Sequence, residues 1–370
     1  MTALKDYQAG FSEEPGYLDY ARIAPVGRAV LEEQTALGTM LATARFGSLG
    51  VLLSQHDRMR RAVAAVGGFR PDQVVFQPNT SQGLMHTMFG ITGTVAVSPT
   101  EFPSLTFAVS RATSALGGVV PLWLQTDAGR VTPGILRDQL TPAVVAVGVS
   151  LVDFRTGYLA DLEAIRDAIG DRLLIVDASQ GFGVVDVPFG LVDVVAAGGQ
   201  KWPRAGLGTG FLAMSDRARE QLTPVWSGLA GAQDGFYDGV TAPLPGAAAF
   251  QVSHAEPVAA ARLAAALEEI AQVGVGVLNS AMALSVSRLI DLADEYAVPV
   301  VSPRDESERA GIVVLEPTAE QLTVLVASLH NHGVTVTVRD TTVRLSAHAT
   351  VEEETFSMLR AALVSFATTI

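Results

Sequence analysis

Short apolar runs alternate with amphipathic helical stretches from about Arg45 to Met214. Apolar positions on one face predict helices at residues 47–66, 84–89 and 162–169. Apolar, β-branched runs predict strands at residues 73–76, 93–98, 119–124, 143–149, 173–177, 193–197 and 210–214. Short apolar strands between helices are typical of an α/β domain whose mostly parallel sheet is covered by helices. We therefore predict such a domain in the first part of the chain.

Beyond Ser215 the pattern changes. The segment Ser227–Gly246 is rich in glycine, proline and alanine and predicts a long loop. An alanine-rich helical stretch at 257–296 precedes predicted strands at 311–315, 334–338 and 342–346 and predicted helices at 319–330 and 350–366. This mixture predicts a smaller α+β domain. The predicted organisation is an N-terminal segment (1–20), a large domain (21–246) and a small C-terminal domain (247–370).

The charge and composition of the chain restrict its partners. Its 370 residues carry a formal net charge of −13, so we expect no binding to nucleic acid or to an anionic membrane surface. The absence of cysteine excludes disulfides, thiolate metal sites and a cysteine nucleophile. No signal peptide and no uninterrupted apolar stretch of membrane-spanning length is found in the sequence. The expected location is the cytoplasm.

The chain contains only two lysines, Lys5 and Lys201, and uses arginine for its other permanent positive charges. Lys5 lies close to the N-terminus, whereas Lys201 follows an apolar run in the middle of the chain. Arginine stays protonated, but a lysine amine can lose its proton and attack a carbonyl to form a Schiff base. Lys201 is therefore the leading candidate for a catalytic residue.

Asp177 ends the predicted strand 173–177, and Lys201 follows the next predicted strand, 193–197. Open α/β sheets bind ligands at the carboxyl ends of their strands, so both side chains are expected near one another. The pair suits pyridoxal phosphate, because the lysine forms the Schiff base and the aspartate keeps the pyridine nitrogen protonated. A capping or turn aspartate is the alternative interpretation of Asp177.

Two loop segments are candidates for further contacts with such a cofactor. Asn79, Thr80 and Ser81 open a predicted helix directly after a strand, where free N–H groups and hydroxyls attract a phosphate. An ordinary Ser/Thr helix cap is the alternative. Phe102 follows the next strand and is a candidate for stacking on the cofactor ring, although a loop aromatic is more often part of the core.

Arg344 stands inside the apolar strand 342–346. A buried arginine needs an anionic partner. The α-carboxylate of an amino-acid substrate is one such partner, and arginine can hold it through two parallel hydrogen bonds. A structural ion pair with a local Asp or Glu is the alternative.

Together these motifs resemble the class V aminotransferase family, fold type I of the pyridoxal-phosphate enzymes. The segments that carry the resemblance are spread over nearly the whole chain: Tyr17–Ala21, Asn79–Gly83, Glu101–Ser104, Val152–Gly157, Asp177–Gln180, Gly199–Lys201 and Val343–Ser346. Each is a weak motif by itself, and their order and spacing make the combination specific. The Phe-Pro pair and Val152–Gly157 are similar to kynureninases, and Gln200-Lys201 is similar to alanine–glyoxylate aminotransferases.

The resemblance implies a role for each candidate residue. It makes Lys201 the lysine that holds the cofactor as an aldimine, with Asp177 on the pyridine nitrogen and Phe102 on the ring. It implies further cofactor contacts from Asn79, Thr80, Ser81, Gln180 and Gln200, and a substrate carboxylate held by Arg344. It also implies a homodimer with a shared active site, to which we expect the loop Ser227–Gly246 to contribute.

The chain also departs from the family pattern. Without cysteine it cannot use the persulfide chemistry of cysteine desulfurases. Arg22 replaces a usual small residue, which points either to a second acidic group on the substrate or to a surface ion pair. Ser253-His254 is the nearest match to a Gly-Thr pair that reaches the partner's phosphate, which puts that contact in doubt. Trp226–Gly228 lacks the aromatic and histidine that follow in kynureninases. The roles of Arg155 and His254 stay open.

From these features we predict a pyridoxal-phosphate aminotransferase that acts on a small amino acid. A C–S or C–C β-lyase is the alternative, because it would use the same surroundings of Lys201. An amino-acid epimerase and a non-catalytic binding protein rank below these two. No metal site is predicted.

Overall fold

The structure is a computed structural model and describes residues 2–233 and 239–369. Within these residues the helices are α1 (Thr2–Gln8), α2 (Arg28–Ala42), α3 (Ser48–Leu53), α4 (Gln55–Gly67), α5 (Thr80–Gly90), α6 (Pro103–Leu116), α7 (Pro133–Gln139), α8 (Leu162–Ile169), α9 (Asp216–Gln221), α10 (Pro257–Val273), α11 (Val275–Glu295), α12 (Ala319–Asn331) and α13 (Glu353–Ala367). The strands are β1 (Val74–Phe76), β2 (Gly93–Val97), β3 (Val119–Trp123), β4 (Val144–Ser150), β5 (Leu173–Asp177), β6 (Val194–Gly198), β7 (Gly210–Met214), β8 (Ile312–Leu315), β9 (Thr337–Arg339) and β10 (Thr342–Ser346).

Seven of the described strands form one sheet in the order β1-β7-β6-β5-β4-β2-β3. Within this order, the neighbours in the run β6-β5-β4-β2-β3 pair in parallel. Strand β7 is antiparallel to both of its neighbours, so β1 points in the same direction as β6. The predicted mostly parallel sheet is confirmed, and every strand predicted between residues 73 and 214 is present.

The central strands are apolar on both faces because helices cover both sides of the sheet. Along β5, Leu174 and Val176 belong to one hydrophobic cluster, whereas Leu173 and Ile175 belong to the cluster on the other face. This alternation follows from the two-residue period of a strand. It explains why these strands appear in the sequence as short uninterrupted apolar runs.

The smaller sheet is antiparallel and has the order β8-β10-β9 among the described strands. The N-terminal segment runs beside it through isolated bridges from Tyr17 to Thr335 and from Asp19 to Ser346. Helices α12 and α13 contact each other, and α11 contacts β8 and α13. The smaller antiparallel sheet and its helices agree with the predicted α+β domain. The boundary after residue 246 stays a prediction, and α10, which follows it, packs on α2 and α4.

The helix prediction was wrong in detail at several places. The stretch 257–296 forms two helices that meet at Gly274, whose φ of +92° suits glycine because it has no Cβ. The stretch 47–66 is likewise divided at Ser54 into α3 and α4. The sequence pattern did not predict α2, α6 or α7.

Helix α11 is long and apolar enough in composition to cross a membrane, with a mean hydropathy of 1.3 over its most apolar window. One of its faces is buried in the core through Leu278, Met282, Val286 and Leu289. A core helix of a globular protein has the same length and composition. One third of that window is buried, so the packing of this face accounts for part of the hydropathy of α11.

Asp193, immediately before β6, is a buried junction between elements. Its carboxylate accepts hydrogen bonds from Arg166 at 2.6 Å, from Arg217 at 2.5 Å and from the Leu174 N–H at 2.9 Å. Burial opposes ionisation, but the hydrogen bonds and the arginine charges outweigh it and hold the pKa of Asp193 below its usual value. This junction joins α8 and α9 to the strands of the large sheet.

Asp193→Asn is expected to lower the free energy of unfolding by about 2 kcal/mol or more at pH 7, because two arginines lose their anion. Urea denaturation measures the change. The matched control is Asp57→Asn, in an exposed pair with Arg60, which should change stability by less than about 1 kcal/mol. Since the folded-state pKa of Asp193 is lowered, its contribution is lost as pH falls through that pKa, and the variants should converge in acid. Equal stability at pH 7 would contradict this assignment.

Candidate active site

The predicted site residues gather at one edge of the large sheet. Asp177 ends β5, and Thr80, Phe102 and Lys201 follow the carboxyl ends of β1, β2 and β6. These four strands point in the same direction, so their carboxyl ends share one edge. Ligands in open α/β sheets bind at that edge.

Lys201 lies over Phe102, with Nζ 5.3 Å from the centre of the ring. Burial lowers the pKa of the Lys201 ammonium to about 8, the negative charge of Asp177 opposes the shift, and the charges of Arg344 and Arg339 add to it. A lysine with this pKa has a substantial neutral fraction near neutral pH. It therefore has the nucleophilic amine that Schiff-base chemistry requires.

Asp177 is 4% exposed and lies between β4 and β6, opposite Ser150 and Ala196. The backbone N–H of Ser179 donates to its carboxylate at 2.9 Å. Burial raises the pKa of Asp177, while the bond from Ser179 and the charge of Lys201 act in the opposite direction. A cationic partner would therefore strongly favour the carboxylate form.

The first turn of α5 combines a helix cap with free donors. Asn79 caps the helix, because its side-chain oxygen accepts the Gln82 N–H at 2.9 Å. Thr80 and Ser81 direct their hydroxyls to Ser179 and Ser104, each at 2.6 Å. Among the described residues, the backbone N–H groups of Thr80 and Ser81 have no hydrogen-bond partner. The cap interpretation thus holds for Asn79, and two backbone donors remain for an anion.

Gly198 makes room for the Gln200 side chain. A Cβ at this position would collide with Gln200 Oε1 and would lie 3.2 Å from Thr80 Oγ1. The missing Cβ therefore lets the Gln200 side chain lie beside Thr80, at the N-terminus of α5. The predicted contact of Gln200 with the cofactor stays a prediction.

The side-chain amide of Gln180 connects two other parts of the chain. Its Nε2 donates to the Ala21 carbonyl at 3.0 Å, and its Oε1 accepts the indole N–H of Trp202 at 2.9 Å. A primary amide has a second N–H, which is the group left for a ligand. The predicted contact of Gln180 with the cofactor stays a prediction.

The turn after Lys201 is anchored by Trp202 and Arg204, both fully buried. Gly311 makes room for the indole, because a Cβ there would lie 2.6 Å from Cζ3 of Trp202. Arg204 donates to Glu13 at 2.6 Å and to Thr350 at 2.7 Å. Its φ of +61° is unfavourable for a residue with a Cβ, and these contacts hold it in place. The anchors fix the backbone that carries Lys201.

Arg344 is 3% exposed, and both interpretations of it find support. Nη2 lies 3.6 Å from Asp19 Oδ1 and donates to Thr337 Oγ1 at 3.2 Å, and Nη1 donates to the Phe154 carbonyl at 3.3 Å. Nε is buried without a hydrogen-bond partner among the described residues. Burial and the charge of Arg339 lower the pKa of Arg344 to about 10, with Asp19 opposing. The ion pair with Asp19 thus leaves part of the guanidinium free for another anion.

Phe154 connects the two sides of the cleft. Its ring meets that of Phe102 edge-on, with 5.1 Å between the centres. Arg155 and Arg339 place their Cζ atoms 5.6 Å and 5.1 Å from the same ring centre. Arg155 is paired with Asp153 at 3.0 Å, so it has a structural partner.

Sequence reasoning missed Arg339 and also Glu101. Glu101 is 9% exposed and accepts the N–H and hydroxyl of Ser150. Burial raises the pKa of Glu101 to about 7, although the bonds from Ser150 oppose the shift. The sequence signal that could have identified Glu101 is its position directly before Phe102, in a segment already selected for its aromatic ring.

Arg22 is exposed, and its predicted substrate contact stays a prediction.

No group of three or more His, Cys, Asp or Glu side chains suited to a metal ion occurs in residues 2–233 and 239–369.

Comparison with protein families shows which family the chain belongs to. The family model of class V aminotransferases matches residues 17–369. This chain belongs to the class V aminotransferase family.

Several curated proteins are similar to this class V family member. The uncharacterized aminotransferase YcbU of Bacillus subtilis is 24% identical over 298 residues, which cover 78% of each chain. The kynureninase of Deinococcus radiodurans is 31% identical over 206 residues, 52% of this chain and 50% of its own. The cysteine desulfurase of Frankia sp. is 30% identical over 241 residues, 56% and 54% of the two chains. The last two matches thus span about half of each relative.

Solved structures show the same fold. A cysteine desulfurase from Thermococcus onnurineus has a TM-score of 0.86 at 20% identity, covering 96% of this chain and 95% of its own. A lysine mutant of C-DES, with glycine linked to its pyridoxal-phosphate cofactor, has a TM-score of 0.86 at 18% identity and 96% coverage of both chains. The predicted fold type I is confirmed.

The family uses pyridoxal phosphate, and the chain is a pyridoxal-phosphate enzyme. Two observations show that the described residues fit the cofactor. The backbone N–H groups of Thr80 and Ser81 are without a partner among the described residues, and the pKa of Lys201 is lowered to about 8.

The pKa of Lys201 predicts how fast cofactor-free protein binds pyridoxal phosphate covalently. Because this pKa is lowered to about 8, the rate should rise about tenfold per pH unit below pH 8 and level off above it. Stopped-flow absorbance measures the rate, and free lysine, which titrates near pH 10, is the control. A rate that keeps rising to pH 10 would show an unperturbed lysine.

Proposed function

We propose that this enzyme is an aminotransferase that acts on a small amino acid. The observation that carries the proposal is the position of Lys201, whose Nζ lies 5.3 Å from the centre of the Phe102 ring in a buried cleft. The pKa of Lys201 is lowered to about 8, so its amine can both take and return a proton near neutral pH. Amino-group transfer requires both movements.

The residues that would hold pyridoxal phosphate follow the carboxyl ends of four strands: Asn79, Thr80, Ser81, Phe102, Asp177, Gln180, Gln200 and Lys201. Lys201 would hold it covalently, Asp177 would face the pyridine nitrogen, and Phe102 would lie against the ring. The free N–H groups at the start of α5 would receive the phosphate. When bound, pyridoxal phosphate supplies an electron sink for negative charge that develops on the substrate Cα.

The remaining residues would orient the substrate. Arg344 would bind the α-carboxylate through the guanidinium N–H groups that Asp19, Thr337 and Phe154 leave free. With the carboxylate held there, Lys201 Nζ would hold the proton taken from Cα. Phe102 and Phe154 would keep water out of this part of the cleft. Exclusion of water strengthens the charge interactions of the site.

A β-lyase is the second candidate, and the position of Val152–Gly157 favours it. This segment, which resembles kynureninases, contributes Phe154 to the cleft beside Phe102. The kynureninase of Deinococcus radiodurans is among the curated relatives. A lyase and an aminotransferase would share Lys201, Asp177 and Arg344. They differ in whether a group leaves Cβ of the substrate.

The products decide between the two candidates. The protein loaded with pyridoxal phosphate is incubated with L-amino acids and a keto-acid acceptor, and products are identified by mass spectrometry. An aminotransferase converts the acceptor into its amino acid without releasing ammonia. Ammonia or a Cβ fragment released without an acceptor would replace the first candidate with the second. No conversion in either assay would contradict both.

The variant Lys201→Ala provides the internal test of the same experiment. It should abolish conversion and prevent borohydride from attaching the cofactor to the chain, because the amine is missing. The matched control is Lys5→Ala, which removes the only other lysine, an exposed one, and should change neither result. Wild-type conversion by Lys201→Ala would remove Lys201 from the mechanism.

We further propose a homodimer with a shared active site. Exposed apolar side chains support it, including Phe46 and Leu49 near α3 and Leu229 at 60% exposure in the loop Ser227–Gly246. Residues 234–238 of this loop lie outside the described residues. Ser253 and His254 line an open cavity together with Gln82, near the predicted phosphate site. Residues from a second copy can therefore approach the cofactor there.

Light scattering coupled to size-exclusion chromatography should give the mass of two chains. Replacing Phe46 and Leu49 together by Ser should weaken the dimer, because apolar area is no longer buried between the copies. Replacing Leu284, another exposed apolar residue, by Ser is the matched control. A monomer at micromolar concentration would contradict the proposal.

A further inference from the structure

The cleft around Lys201 contains more positive charge than one carboxylate requires. The positive charges of Arg339 and Arg344 lower the pKa of Lys201, and the charge of Arg22 lowers the pKa of Arg344. Within the described part of the chain, Arg344 has one nearby carboxylate, that of Asp19 at 3.6 Å. The guanidinium groups of Arg22 and Arg339 make no ion pair and no hydrogen bond there. Arg339, an exposed residue whose Cζ lies 5.1 Å from the centre of the Phe154 ring, is thus a cation beside the cleft that lacks a protein anion.

The strand register places Arg339 and Arg344 on the same face of the small sheet. In the antiparallel pair of β9 and β10, Arg339 lies opposite Thr342, and Thr337 lies opposite Arg344. Residues opposite each other share a face, and so do residues two apart along a strand. The two arginines are therefore diagonal neighbours. Diagonal neighbours on a sheet are close enough for two long side chains to bind one small molecule.

Both guanidinium groups lie near Phe154. Arg344 Nη1 donates to the Phe154 carbonyl at 3.3 Å, while Arg339 Cζ lies 5.1 Å from the centre of the Phe154 ring. The same ring contacts Phe102, over which Lys201 lies. A substrate whose carboxylate is on Arg344 and whose amine is near Lys201 would thus have Arg339 at the side of the cleft. Arg339 is the cation that a substrate side chain can reach.

The charge balance favours an anion at this position. Burial and the charge of Arg339 lower the pKa of Arg344, because a nearby cation disfavours the charged form of a second one. Arg155, the other arginine beside Phe154, is paired with Asp153 at 3.0 Å, so its charge has a carboxylate partner. An anion bound at Arg339 would reduce the unfavourable interaction with Arg344. Guanidinium groups bind carboxylates and related acidic groups through paired hydrogen bonds.

We propose that the substrate is an amino acid with a second anionic group on its side chain, held by Arg339. Arg344 holds the α-carboxylate, as in the proposed function on which this inference rests. The second group is a carboxylate or an acidic group of similar size. Neutral amides of the same shape bind more weakly, because they cannot compensate the charge of Arg339.

Binding is measured on the protein loaded with pyridoxal phosphate, without relying on turnover. Isothermal titration calorimetry compares succinate with butyrate, which lacks one carboxylate, and spectral titration compares L-aspartate and L-glutamate with L-asparagine and L-glutamine. The compounds with a second carboxylate should bind at least about tenfold more tightly than the counterparts that lack it. The difference should shrink at high salt, because the anion on Arg339 is partly exposed to solvent.

Variants assign the preference to its residue. Arg339→Gln should remove most of the preference for the diacids while leaving the affinity for butyrate nearly unchanged, because Arg344 remains. Arg22→Gln should reduce the preference less. Arg137→Gln is the matched control, since Arg137 is exposed in α7 and has no ion pair among the described residues. A diacid preference that survives in Arg339→Gln would overturn the role of Arg339.

The outcomes separate this inference from the proposed function. Equal affinity for succinate and butyrate, and for acidic amino acids and their amides, would overturn the second anion site. Amino-group transfer from neutral amino acids would then still support the proposed function. Conversely, a diacid preference that depends on Arg339 in a protein that transfers no amino group would support the site and contradict the aminotransferase.

Discussion

The turn that begins at Lys201 depends on one buried ion pair, between Arg204 and Glu13. Arg204 holds an unfavourable positive φ and donates to Glu13 at 2.6 Å and to Thr350 at 2.7 Å. It thereby joins the N-terminal segment, the turn after β6 and the start of the last helix. Because both charges are shielded from water, losing one partner would leave the other uncompensated. The position of the Lys201 amine depends on this three-part contact.

The properties of Lys201 follow from its surroundings. A primary amine in water is almost fully protonated at pH 7, but burial beside Phe102 lowers the pKa of Lys201 to about 8. Asp177 limits the shift, and the arginines of the small sheet increase it. Residues of both sheets therefore set the reactivity of one amine. A change in the small sheet should alter the pKa of Lys201 without contacting it.

In the proposed function, the residues that would serve the cofactor and those that would select the substrate belong to different sheets. Asp177, Phe102 and the start of α5 belong to the large sheet and its connections, whereas Arg339 and Arg344 belong to β9 and β10. Phe154 lies between the two groups and contacts Phe102 and both arginines. On this proposal, we expect substitutions in the small sheet to change the preferred side chain while the residues around the cofactor stay the same.

Local sequence patterns were enough to predict the strands of the large sheet, because both faces of each central strand are covered and the residues form short apolar runs. The same patterns selected Lys201 and Asp177 as candidates, since one is a rare residue type and the other ends a buried strand. Asn79, Thr80 and Arg344 were singled out in the same way, each with two open interpretations. Their placement at the cleft agrees with the prediction, and their roles toward cofactor and substrate stay predictions.

Other helices and the surroundings of several charged side chains became apparent only in the folded chain. Helices α2, α6 and α7 were missed because their packing partners lie far away in the chain. Arg339 was missed because its importance depends on cross-strand register with Arg344 and on contact with Phe154. Glu101 was missed because its raised pKa results from burial against β4, and that burial is not visible in the local sequence. Local patterns predict which residues are apolar, rare or turn-forming, but the surroundings of a charge depend on residues that only the folded chain brings together.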